Sequence, residues 1–79
     1  MELVLYSREA CGLCDEMLVQ LEPLLSTCKA SIKVVDIGGD PELMHRFGLR
    51  IPVLLCQGEI LCEGRLDADL VEQCLREQN

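Results

Sequence analysis

Two cysteines, Cys11 and Cys14, stand three positions apart in the stretch "YSREACGLCDEM". A pair at this spacing can be a redox couple, half of a metal site, or two small buried hydrophobes. Its place in the chain favours redox chemistry. The pair follows a short apolar run and precedes a leucine-rich one, as at a junction between a strand and a helix. Backbone N–H groups at a helix N-terminus lack partners, and the helix dipole puts partial positive charge there. A thiolate at that point is stabilised, and cysteines in such motifs have pKa values lowered from ~8.5 to ~3.5–7.5. Cys11, in the first turn, is the candidate nucleophile. Cys14 falls on the inward face with Met17 and Leu18, which suits a resolving thiol. Arg8 is the one nearby cation, able to stabilise the thiolate or meet a substrate carboxylate. Glu9, Asp15 and Glu16 surround the pair with negative charge. Asp15 and Glu16 lie in the first turn, where acids favour the helix itself, and helical geometry points them roughly to solvent.

The elements that must hold this pair are legible from periodicity. Residues 2–6, "ELVLY", read as a strand. Cys14, Met17, Leu18, Leu21, Leu25 and Cys28 recur at helical spacing and form one apolar face. Pro23 interrupts that helix, and a kink or break is expected near Glu22, because proline removes a hydrogen bond and clashes one turn back. "SIKVVDI" reads as the second strand. Asp40 is the expected N-cap and Pro41 the first position of a short second helix, which stops at Gly48. "PVLLC" is a continuous apolar strand, as expected for burial on both faces. "QG" makes a tight turn into "EILCE". Gly64 ends the sheet, and Asp67 caps a last helix with Leu70, Val71, Cys74 and Leu75 inward. The order β-α-β-α-β-β-α, with no linker or repeat, predicts one α/β domain over 1–79, a four-stranded mixed sheet flanked by three helices.

Composition excludes some functions. The chain has 79 residues and a net charge of −7. A nucleic-acid partner needs clustered Lys and Arg, so none is expected, and an anionic membrane surface is disfavoured for the same reason. No run reaches the ~18 apolar residues of a membrane span. Six cysteines in so short a chain are also compatible with a secreted disulfide scaffold. Against that, "MELVLYSREA" has an acid at position two and no basic region, unlike a signal peptide. Cys28, Cys56, Cys62 and Cys74 fall at apolar positions inside regular elements. A reduced, cytoplasmic protein is expected, in which these four act as small hydrophobes. A two-residue turn at Gln57-Gly58 pairs Cys56 with Glu59 and Cys62 with Val53, so their sulfurs are expected on opposite faces.

The segment Tyr6-Ser7-Arg8-Glu9-Ala10-Cys11-Gly12-Leu13-Cys14 resembles the start of the glutaredoxins in the thioredoxin superfamily, with Arg8 where that family has lysine. Ile51-Pro52-Val53 resembles the family's second landmark, a cis proline opening the third strand. Gly64-Arg65-Leu66-Asp67 stands where glutaredoxins have a Gly-Gly and an acid before the last helix. The resemblance covers the whole chain and is closest to small bacterial glutaredoxin-like proteins. It implies a thioredoxin-like (glutaredoxin-like) fold. It also implies that Pro52 and the Ile51 backbone shape a substrate strand, and that Gly64 and Asp67 meet the γ-glutamyl end of glutathione. The chain departs from the family at Gly12-Leu13, which replaces Pro-Tyr, and at Arg65, which replaces the second glycine.

The expected activity is thiol–disulfide exchange through a Cys11/Cys14 dithiol, on protein disulfides or glutathione mixed disulfides. No tightly bound cofactor and no resident metal are expected. Glutathione is the candidate co-substrate, and a monomer is expected. Two rival functions remain. One is an iron–sulfur carrier using Cys11 plus glutathione, for which Gly12 leaves room. The other is a redox-inactive interaction module of the same fold. His45 reads as a solvated surface residue. Arg46 or Arg50 is placed to reach an anionic substrate near Pro52, or else balances local acids.

Overall fold

The first strand is short and half apolar, so it needs neighbours on both sides and a helix over its inner face. The structure, a computed structural model, describes residues 1–77. Its elements are β1 (Glu2–Ser7), α1 (Gly12–Cys28), β2 (Ser31–Asp36), a 3-10 turn (Ile37–Gly39), α2 (Pro41–Phe47), β3 (Val53–Cys56), β4 (Glu59–Glu63) and α3 (Ala68–Glu77). The four strands form one sheet in the order β2-β1-β3-β4. β1 and β2 are parallel, joined by α1 as a crossover, whereas β1–β3 and β3–β4 are antiparallel. This is the mixed sheet and the three-helix order that the sequence predicts.

Alternation along β1 and β3 divides the core in two. Leu3 and Leu5 point to one face and are fully buried with Leu54 and Cys56, against Met17 and Leu21 of α1 and Val71 and Leu75 of α3. Val53 points to the other face, where it packs with Ile37 and Phe47 under Tyr6, Leu43, Met44, Ile51 and Leu55. β3 thus feeds both layers, as its unbroken apolar run requires. Burying each such Leu, Val or Met is favourable by about 1.5–3 kcal/mol.

Helix ends follow local chemistry. Asp40 accepts the N–H groups of Glu42 and Leu43 at 3.0 and 3.1 Å, and Pro41 opens α2. Asp67 accepts the Leu70 N–H at 3.1 Å, which caps α3. α2 stops at Gly48 as expected, but Gly48 is in the right-handed region. A Cβ there would come within 2.5 Å of the Met44 carbonyl oxygen, so this glycine answers to close approach and not to a left-handed turn.

Three expectations change. α1 runs unbroken through Pro23. The carbonyl that proline leaves unpaired belongs to Val19, and both residues lie on the exposed side of the helix, where a missing backbone bond costs less than it would in the core. Leu70 is 39 % exposed, and Val71 and Leu75 are the buried residues of α3. The hairpin carries an irregularity between Leu54 and Leu55, so Cys62 pairs with Leu54 and not with Val53. A bulge inserts one residue and flips the faces beyond it. Cys62 therefore shares the face of Leu54 and Cys56, and the two sulfurs are not on opposite faces.

Candidate functional site

The candidate site begins where β1 ends. Arg8, Glu9 and Ala10 form an exposed loop, and Ala10 takes a positive φ of 55°. That turn delivers Cys11 to the N-cap of α1 in an extended conformation. N-cap residues accept a hydrogen bond from the backbone a turn ahead, and serine or aspartate usually does so through oxygen. Here the acceptor is sulfur: the Cys14 N–H donates to Cys11 Sγ at 3.2 Å. The Asp15 N–H also donates to the Cys11 carbonyl at 3.1 Å. Cys11 is half-buried and Cys14 is fully buried among core side chains. The two are joined as a disulfide, with Cα atoms 5.3 Å apart. One sulfur therefore faces outward at a helix N-terminus, and its partner lies behind it.

The other expected residues are distributed around this pair. The Ile51–Pro52 peptide is cis. Pro52 is buried, and Ile51 is half-buried with its N–H donated to the Phe47 carbonyl at 3.1 Å. Gly64 has a positive φ of 74°, and its N–H donates to the Pro52 carbonyl at 2.8 Å. The two landmarks expected from separate segments are thus one hydrogen-bonded unit. Asp67 is exposed, and its Oδ1 accepts the Leu70 N–H as the cap of α3. Arg8 is exposed and makes no ion pair among the described residues.

Of the two parts considered for Arg50, the structure shows it balancing a local acid. Its guanidinium clasps Glu63 through two bonds of 2.7 and 2.8 Å and lies over the Phe47 ring, 5.0 Å from the centroid. The hydrogen bonds between them, helped by their opposite charges, lower the Glu63 pKa and raise that of Arg50. Arg50 therefore ties the segment before Pro52 to the end of β4. Arg46 also lies over Phe47, at 5.0 Å. His45 is exposed.

A cleft of about 380 Å³ opens between α1 and the loop before α3. It is lined by Leu13, Glu16, Met17 and Gln20 on one side and by Gly64, Arg65 and Leu66 on the other. Leu13, between the two cysteines, is 57 % exposed. The sequence carried a signal for half of this cleft, since 13, 16, 17 and 20 share one helical stripe. The opposing loop was marked only through the resemblance at Gly64-Arg65-Leu66-Asp67, and nothing local showed that it would face α1 from some fifty residues away in the chain. Among the described residues, no group of three or more His, Cys, Asp or Glu side chains is placed to hold a metal ion.

A cysteine pair at the start of α1, a cis proline before β3 and this strand order define a thioredoxin-fold protein. Thioredoxin 1 of Thermosipho africanus shares that fold over all of this chain and 99 % of its own, at a TM-score of 0.63 and 16 % identity. The family is narrower. Residues 2–76 match the model of the Glutaredoxin-like domain (DUF836), and the chain belongs to that family. Protein Ne2328 of Nitrosomonas europaea is similar at 33 % identity and a TM-score of 0.84, covering 92 % of this chain and 88 % of that one. The target protein XcR50 of X. campestris is 32 % identical with a TM-score of 0.70, covering 95 % and 96 %. No curated protein matches the sequence.

Proposed function

We propose that this chain is a thiol–disulfide oxidoreductase that reduces a disulfide in a protein partner of the bacterial cytoplasm. One observation carries the reading: Cys11 caps α1 with its sulfur under the Cys14 N–H, while Cys14 is buried behind it. In the reduced chain the same N–H and the helix dipole favour the Cys11 thiolate. That thiolate attacks one sulfur of the substrate disulfide. A mixed disulfide forms, and the other substrate sulfur leaves as a thiolate. Cys14 then attacks Cys11 Sγ and expels the second substrate thiolate. Two electrons pass to the substrate, and the Cys11–Cys14 disulfide is the oxidised product. Two thiols of an electron donor, with glutathione the candidate, restore the dithiol by the reverse exchange.

The surroundings support a protein substrate. Exposed Leu13 and the cleft beside it offer apolar contact flanked by one acid, Glu16, and one base, Arg65. The Ile51 N–H is already bonded within the chain, so a substrate strand crossing this corner gains nothing from it. Among the described residues no helix is long and apolar enough to cross a membrane.

The test is a peptide-mapped mass spectrum of the reduced protein after brief exposure to glutathione disulfide. A Cys11–Cys14 bridge, or glutathione on Cys11 alone in Cys14→Ser, is the expected result. Six unmodified thiols, or slow modification without site preference, would leave the fold standing and remove the activity. An iron–sulfur carrier would instead turn brown and dimerise on anaerobic reconstitution with glutathione.

A further inference from the structure

Four cysteines lie outside the site, and two of them meet. Cys74 Sγ and Cys56 Sγ lie within hydrogen-bond distance, 3.0 Å apart. Cys56 ends β3 and is 4 % exposed within the main core. Cys74 lies on α3 beside the buried Val71 and Leu75 and is half-buried. Cys28 and Cys62 pack on the same core, and no sulfur–sulfur bond links either to another cysteine among the described residues.

Packing alone does not account for this contact. Of the four cysteines bordering this apolar core, these two alone among the described residues have their sulfurs within hydrogen-bonding reach of each other, and they stand 18 residues apart in the chain. A disulfide needs ~2.05 Å between sulfurs, so roughly 1 Å of approach closes the bond. Cys56 directly precedes the Gln57-Gly58 turn, and Cys74 is in the last turn of α3, which ends at Glu77.

We propose that Cys56 and Cys74 form a second dithiol–disulfide couple, distinct from Cys11–Cys14, which a peroxide closes to pin α3 onto β3. Exposure assigns the order of events. Cys74 is the sulfur that a small oxidant reaches; its thiolate attacks the peroxide O–O bond and becomes a sulfenic acid, releasing water after protonation. Cys56 then attacks the Cys74 sulfur and displaces hydroxide, which leaves as a second water. The two thiols lose two electrons and two protons, and hydrogen peroxide becomes two waters. Burial holds the Cys56 thiol protonated, pushed up to about 11 with help from the adjacent Cys74, so Cys56 is suited to the second step and not the first.

The experiment treats the reduced, folded full chain with hydrogen peroxide, blocks remaining thiols by alkylation, and maps peptides without reduction. Cleavage after Glu59 separates Cys56 from Cys62. A Cys56–Cys74 linked pair with Cys28 and Cys62 alkylated is expected. Cys74→Ser must abolish that pair. The doubly substituted Cys11→Ser, Cys14→Ser chain must still form it, which makes this result independent of the activity proposed above. Alkylated Cys56 and Cys74, bridges scattered over Cys28 and Cys62, or a Cys74 oxidised to sulfinic acid without closure would each overturn the proposal.

Discussion

The carbonyl of Pro52 accepts the N–H of Gly64 at 2.8 Å. This single bond joins the segment before β3 to the segment after β4 and sets one wall of the cleft beside Cys11–Cys14. Gly64 reaches it with a φ of 74°, where any Cβ is strained. Gly64→Ala should therefore lose about 1–2 kcal/mol of stability, read from urea unfolding. Reduction of a protein disulfide should slow, while alkylation of Cys11 stays at the wild-type rate. An unchanged stability would mean that the turn relaxes and does not hold the wall.

The exposed sulfur should be the reactive one. In the reduced chain, iodoacetamide is expected to modify Cys11 before the other five cysteines, with half-maximal rate below pH ~8.5. Cys11→Ser should drop exchange to the uncatalysed rate. Cys14→Ser should instead accumulate a mixed disulfide on Cys11, because the resolving step is lost. A Cys11 that titrates at or above the value of free cysteine would favour the interaction-module reading.

Leu21 is fully buried between α1 and the sheet. Leu21→Ala removes its transfer energy and leaves a cavity, at an expected cost of about 2–5 kcal/mol. Chemical denaturation with two probes measures it. A cost under about 1 kcal/mol would show that α1 collapses into the space, and that this helix holds Cys14 less firmly than its burial implies.

Stability should fall in alkali. Burial raises the Cys56 thiol from an ordinary 9.0 to about 11, and Cys62 moves upward for the same reason. The folded chain thus binds these protons more tightly than the unfolded one. The Cys56 contribution is complete below pH 9, shrinks as pH climbs, and is gone above about pH 11, and that of Cys62 is likewise lost toward alkali. Cys74 and Glu59, which face Cys56, act in the same direction. Urea unfolding under reducing conditions at pH 8 and pH 10.5 should show a larger loss for the wild type than for Cys56→Val. Equal losses would assign the alkaline transition to other groups.

The sequence by itself determined what depends on near neighbours. Cys11 and Cys14 are three positions apart, so a helix starting there must put one sulfur at its cap and the other inward. Asp40, Pro41 and Asp67 marked helix starts through bonds spanning two or three residues. The alternation in β1 and the unbroken run of β3 located the sheet and its two-layered core. The landmarks at Ile51-Pro52 and Gly64 were also visible, although not the bond between them.

Only the tertiary structure decided what depends on long-range packing. Pro23 stays inside α1 because its side of the helix faces water while Met17 and Leu21 are held by the sheet. Lys29 closes that helix in a left-handed conformation that sequence rules reserve for glycine. One irregularity between Leu54 and Leu55 reversed the face of Cys62, and no local residue type announces it. Arg50 found Glu63, and Cys74 found Cys56, across 13 and 18 residues. Such pairs are set by the register of β4 and the seating of α3, which minimise exposed apolar surface over the whole chain and leave no periodic trace in it.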